Sequence, residues 1–196
     1  IGEGNYMETV PFPDSISTFI KRRPKTNEPL GDDKFYYSNP QPDLATAVVV
    51  KQLGGKSKFK KFVEKNLNEK AQLKYKTLVF GHKGYPNFAN WFWATRYDWL
   101  RLGIFVSEEI QNKDSCLGSY LRDAINNSVE TGRDWGPRYG KFFYTETPYG
   151  LKNKSIMMRG HGYKLLVIDY ENNKILEIHS IAADYKPQQL IPLIMQ

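Results

Sequence analysis

Two short stretches of the chain combine residue types able to do chemistry. The first is Phe35-Tyr36-Tyr37-Ser38-Asn39-Pro40. Tyr37 stands two residues before Asn39 on a loop leading into a helix, so both polar tips can be aimed into one cleft. A tyrosine of ordinary pKa, about 10, is a poor base at neutral pH. A neighbouring ammonium lowers that value and lets the phenolate take a hydroxyl proton. The plainer reading of the same stretch is a buried tyrosine followed by a helix-capping asparagine. The second stretch is Arg159-Gly160-His161-Gly162, directly before the apolar run Tyr163–Asp169. Two glycines around a histidine at a strand start let another group approach the backbone, as an oxyanion-binding edge requires. A glycine turn carrying a surface histidine is the plainer alternative here.

Composition removes other classes of chemistry. A single cysteine, Cys116, forms no internal disulfide, and the three histidines (His82, His161, His179) are scattered, so no structural metal and no cofactor are expected. With 40% hydrophobic and 25% charged residues, the chain is neither disordered nor collagen-like nor a coiled coil. No apolar run approaches the roughly 18–20 residues that span a bilayer, and Ile1–Val10 lacks the basic and apolar regions of a secretory signal. The net charge of +7 would suit an anionic partner, but the lysines are spread along the chain and nucleic acid is not expected as a partner. The densest run, Lys56 to Lys65, puts Phe59, Phe62 and Val63 on one helical face and lysines on the other, which reads as a solvated amphipathic helix.

The elements that must position these stretches follow from local signals. Pro11, Pro13, Pro24 and Pro29 punctuate the first 35 residues, with a short helix over Ile16–Arg22 capped by Asp14 or Ser15. Pro42 favours a helix start, Leu44 and Val48 continue at helical spacing, and Gly54-Gly55 stop the helix. Ser57 is expected to cap the next helix, to about Asn66. Leu73–Phe80 reads as extended and His82–Pro86 as a turn. Thr95 and Asp98 form a capping box for a helix that ends near Asn112, and another helix spans about Cys116–Asn126. Beyond Gly132 the texture is that of strands: Phe142–Tyr144, Ser155–Met158, then Tyr163–Asp169 and Lys174–Ile181 as a hairpin around Glu171-Asn172-Asn173. A short helix over Leu190–Met195 closes the chain. Helices first and antiparallel strands after give an α+β fold, with a helical part at about 40–130 and a sheet part at about 141–196 of a single domain.

Taken together and in order, these stretches resemble the serine β-lactamase and penicillin-binding-protein superfamily, most closely its esterases and 6-aminohexanoate-oligomer hydrolases related to class C β-lactamases. Phe35–Asn66 looks like the second-motif region, with Pro29-Leu30-Gly31 similar to its lead-in. Ala94-Thr95-Arg96-Tyr97-Asp98-Trp99-Leu100-Arg101-Leu102-Gly103 resembles the family's Ser/Thr-x-x-Asp-Leu-Ala-Arg-Phe-Gly helix. Arg159-Gly160-His161-Gly162 followed by a hairpin resembles the third motif. The similarity covers about residues 29–181.

The resemblance implies a serine hydrolase that cleaves a small amide or ester through an acyl-enzyme. Tyr37 would help deprotonate the nucleophile and protonate the leaving group, and Asn39 would orient substrate or the motif lysine. His161 would sit at or beside the third-motif position. An amide at Gly160 or Gly162 would be half of the oxyanion hole, and Trp91 and Tyr163 would shape the substrate pocket.

The departures matter equally. The family's nucleophile lies in Ser-x-x-Lys well upstream of the tyrosine motif. The single Ser-x-x-Lys here, Ser57-Lys58-Phe59-Lys60, comes after it and reads as a cap plus a solvated lysine. Asn90-Trp91 replaces a common Gly-Gly, and Tyr163 stands where many relatives have a small residue or glutamine. With the second and third motifs present and the chain beginning at Ile1, we expect the nucleophile on an upstream segment or a second chain. Without that segment, Leu165, Val167, Ile175 and Ile178 are expected to be exposed, beside a sheet edge that invites pairing. The alternative is a non-catalytic ligand-binding or interaction module on the same fold, its cleft lined by Trp91, Trp93, Trp135 and Tyr139. The resemblance suggests a periplasmic or secreted setting and leaves a cytoplasmic one open.

Overall fold

The computed structural model describes residues 35, 37, 40–78, 80, 92–160, 164–179 and 186–195. They fall into two compact units. One lies within Tyr36–Lys70 and Lys74–Ala94, the other within Phe35, Ala71–Leu73 and Thr95–Gln196. The expected helix over Ile16–Arg22 and turn over His82–Pro86 lie outside the described residues.

In the first unit, α1 spans Pro40–Gln52 and α2 spans Lys56–Val63. α1 begins two residues before Pro42. Gly54 and Gly55 take φ of 84° and 110°, a left-handed turn that L side chains resist, and they end α1 as expected. The same turn corrects the expected cap. Gly55 occupies the N-cap position of α2, so Ser57 falls inside the helix, exposed and making no capping bond. A π-helical turn, Glu64–Asn68, prolongs α2, and Asn68 Nδ2 donates to Glu64 Oε2 at 2.7 Å. Val50, Phe59 and Val63 form the buried centre of this unit, with Leu53, Leu67, Leu78 and Phe80 packed around it. β1 (Lys76–Leu78) pairs antiparallel with β2 (Phe92–Ala94).

The second unit is a meander between helices. α3 (Arg96–Gln111) and α4 (Cys116–Asn126) precede a six-stranded antiparallel sheet. Its strands are β3 (Val129–Glu130), β4 (Arg138–Gly140), β5 (Phe143–Thr145), β6 (Ser155–Arg159), β7 (Leu165–Asp169) and β8 (Lys174–Ile178), in that spatial order. α5 (Pro187–Met195) follows. The helices-then-antiparallel-sheet order is therefore α+β, with the sheet starting at Val129 rather than near 141.

β7 is buried along its whole length, which fixes the layers. Leu165 and Val167 face a core of Tyr144, Tyr149, Met157, Ile191 and Met195, so α5 covers that side. On the other side Gly103 lets α3 lie close to Leu166 and Ile175: a Cβ there would stand 2.7 Å from Ile175 Cγ2. Leu165 and Val167 are consequently only 2% and 0% exposed, contrary to the exposure expected of them. Ile175 and Ile178 are half-buried, and β8 is the last strand of the sheet.

Candidate functional site

Of the residues given catalytic, oxyanion or pocket-shaping roles from the resemblance, Tyr37 and Gly160 fall among the described residues. Tyr37 is half-buried three positions before α1 and belongs to the first unit. Gly160 belongs to the second, directly after β6. Asn39, Trp91, His161, Gly162 and Tyr163 lie outside the described residues.

The backbone at Gly160 is informative. Its N–H donates to the Lys164 carbonyl at 2.8 Å, one step beyond the last β6–β7 pair. That amide is committed to the ladder and is not a free oxyanion donor. The arrangement comes from the pairing of Arg159 with Leu165, where strand geometry leaves the next residue of each strand to close the loop.

Thr95 caps α3 as expected, but the Asp98 carboxylate answers to the Thr95 hydroxyl where a capping box uses the Thr95 backbone amide. Asp98 N–H donates to Thr95 Oγ1 at 3.2 Å, and that hydroxyl donates to Asp98 Oδ2 at 2.7 Å. Arg101 adds a bond to Asp98 Oδ1 at 2.9 Å. Asp98 is wholly buried, so these partners replace the water it lost.

A recess of about 500 Å³ adjoins the β6 end of the site. Asp134, Trp135, Tyr149, Gly150, Arg159, Pro187 and Gln188 line it. The Arg159 guanidinium carbon lies 3.9 Å from the centroid of the Trp135 ring, and Arg133 approaches the same ring at 5.2 Å. Trp135 packs on Tyr144 and Tyr149 at centroid separations of 4.8 and 6.3 Å. Tyr149 holds φ of 57° and ψ of 25°, a left-handed conformation that costs a non-glycine residue about 1–3 kcal/mol. Its N–H donates to the Trp135 carbonyl at 3.1 Å, which ties the strained turn to the recess wall.

The lining thus offers an aromatic surface, one guanidinium, one carboxylate and one amide. Among the described residues its lining has no serine, cysteine, histidine or lysine, and the groups it does offer can bind and orient a ligand. Trp135 was legible as a cleft residue. Arg159 is visible in the sequence as part of its Gly-His-Gly stretch, whereas Tyr149 and Gln188 are not, since only the meander and α5 bring the three together. Tyr139 is half-buried in the core, in edge contact with Phe35 and Tyr144 at 5.1 and 4.9 Å, while Trp93 is exposed on β2 in the other unit.

Among the described residues, no group of three or more His, Cys, Asp or Glu is placed to hold a metal ion, and no helix is long and apolar enough to cross a membrane. No protein-family model matches the chain, and no curated protein matches it.

Proposed function

We propose that this chain carries the later motifs of a β-lactamase-like serine hydrolase that cleaves an amide or ester through an acyl-enzyme. The observation that supports it most is the placement of Arg159-Gly160. This pair ends a sheet strand and opens a hairpin whose next strand is the most buried of the sheet, after a helix capped by Thr95 and Asp98. The motif order along the chain is the one the resemblance implies.

In this reading the nucleophilic serine belongs to an upstream Ser-x-x-Lys segment. Its hydroxyl attacks the substrate carbonyl and passes its proton to the lysine and Tyr37 pair. The tetrahedral oxyanion is held by the edge after β6. The Gly160 amide is bonded to the Lys164 carbonyl, so in this reading Gly162 is the donor we favour. Collapse expels the amine or alcohol, which takes the proton back through Tyr37. Water then attacks the acyl group, releasing the acid and restoring the serine. Asn39 and His161 orient the substrate, and Trp91 and Tyr163 shape the pocket. The partner is a small amide or ester, with the protein's own N-terminal segment or a second chain completing the site.

Replacing Tyr37 with Phe in the full-length protein tests the assignment. A loss of turnover of about 10²-fold or more on a chromogenic ester is expected, with substrate binding little changed. Unchanged turnover removes Tyr37 from the mechanism.

A second reading, a ligand-binding module without catalysis, is favoured by one observation: the Trp135, Tyr149 and Arg159 recess brings an aromatic surface and a guanidinium together as recognition groups. It predicts saturable binding of a small acidic ligand without any covalent adduct to a fluorophosphonate.

A further inference from the structure

The first unit carries an asymmetry of charge that the hydrolase reading does not use. From Pro40 to Leu78 there are nine lysines and three acidic residues, a surplus of six in a chain whose total is +7. No arginine falls in that stretch.

α2 and the turn after it sort these charges by face. Phe59 and Val63 point into the core. Lys56 and Lys60 are held over the Phe80 ring, at 4.5 and 5.1 Å from its centroid. Lys58, Lys61 and Phe62 of α2 and Lys65 of the π-helical turn recur at the spacing of one helical face, and all are exposed. Phe62 keeps 45% of its surface open in the middle of that basic row. Glu64, the acidic side chain nearest in sequence, is engaged by Asn68 and by Lys76 at 3.2 Å.

Residue type narrows the partner. Lysine can meet nucleic-acid phosphates as a point charge, but the bidentate guanidinium fork that dominates base-edge recognition is missing from this stretch. Lysines on long apolar stems, beside one aromatic ring, suit a lipid headgroup layer. There the ammonium stays among the anions while stem and ring enter the interface.

We propose that the Lys58, Lys61, Phe62 and Lys65 face docks on an anionic lipid bilayer surface. The lysines lie at acidic headgroups and Phe62 at the boundary between headgroups and acyl chains. The contact is peripheral and independent of the hydrolase site.

Co-sedimentation of the full-length protein with large unilamellar vesicles tests it. We expect binding to phosphatidylcholine vesicles containing about a third phosphatidylserine, weakening as salt rises, and none to pure phosphatidylcholine. Each basic residue near such a surface contributes about fivefold, so Lys58→Gln, Lys61→Gln and Lys65→Gln combined should weaken binding about 100-fold. Phe62→Ser should weaken it several-fold with the salt dependence unchanged. Removing the same charge elsewhere, by Lys113→Gln, Lys152→Gln and Lys164→Gln, should cost no more than about fivefold. Failure to bind the anionic vesicles overturns the proposal, as does equal loss from both triple variants. So does tighter binding to duplex DNA than to the vesicles through the same three lysines.

Discussion

Thr95 and Asp98 are joined by two hydrogen bonds in opposite senses at the head of α3: the Asp98 amide donates to the Thr95 hydroxyl, which donates to the Asp98 carboxylate at 2.7 Å. Arg101 completes the cluster from the next turn. Asp98 is 0% exposed, so the carboxylate depends on these partners for its solvation. Replacing Asp98 with Ala strands the Arg101 guanidinium, itself one-third exposed, and should cost about 3 kcal/mol. Thr95→Ala should cost about 1 kcal/mol as a lost cap. Urea unfolding of both single variants and the double variant measures this. The double variant should lose less than the two singles added together, because both remove the same cluster.

The Arg159 and Trp135 stack anchors the recess. Arg159→Met keeps the apolar stem and removes the charge. It should lower stability by about 1 kcal/mol and shift tryptophan emission, while Arg159→Lys restores little because it loses the planar group. A variant indistinguishable from wild type in both readouts would show that the stack contributes nothing.

These features differ in how far the sequence betrays them. The Thr95 and Asp98 cap, the Gly54-Gly55 stop and the bounds of α4 were readable because each depends on residues within one turn of helix. The β7–β8 hairpin was readable from its apolar runs and the Glu171-Asn172-Asn173 turn. β3 and β4 were not, since strands of two and three residues show no periodicity. Ser57 does not cap because a Gly55 of positive φ starts the helix earlier than the serine signal suggests. The recess was invisible for a different reason: Asp134, Tyr149, Arg159 and Gln188 belong to separate elements, and tertiary topology alone assembles them. Tyr37 and Gly160 stand out in the sequence by residue type and spacing, and the structure places them in different units. The free amide offered at Gly160 was lost to the hairpin bond with Lys164.

Asp169 gives the turn between β7 and β8 a pH signature. Burial raises its pKa, but hydrogen bonds from the Asn172 side chain and amide, from Asn153 and from the Glu171 amide outweigh that and hold it below the ordinary carboxylate value. A depressed folded-state pKa means stability that is present at neutral pH and lost as the pH falls through the folded value. Thermal unfolding from pH 7 downward should show this loss beginning below about pH 4. In Asp169→Asn the neutral-pH stability should be lower and that acid dependence smaller. An unchanged acid limb in the variant contradicts the assignment.

Gly140 is required by closeness rather than by backbone angle. A Cβ there would sit 1.9 Å from the Ala124 carbonyl oxygen, where α4 crosses β4. Backbone atoms cannot move aside cheaply, so Gly140→Ala should cost about 3 kcal/mol. Gly132→Ala, with nothing within 4 Å but φ of 70°, should cost only about 1 kcal/mol. Equal midpoints for the two variants in urea would contradict this difference.

Covalent chemistry at a serine upstream of Tyr37, as proposed above, can be read out by labelling the full-length protein with a fluorophosphonate. Intact mass followed by peptide mapping locates the adduct. We expect one adduct per chain, on the serine of a Ser-x-x-Lys segment preceding Tyr37 or on a co-purifying second chain. An ester substrate should protect that serine, and Tyr37→Phe should slow its labelling at least tenfold. No adduct under conditions that label a known serine hydrolase, or an adduct confined to Ser57, would contradict the account.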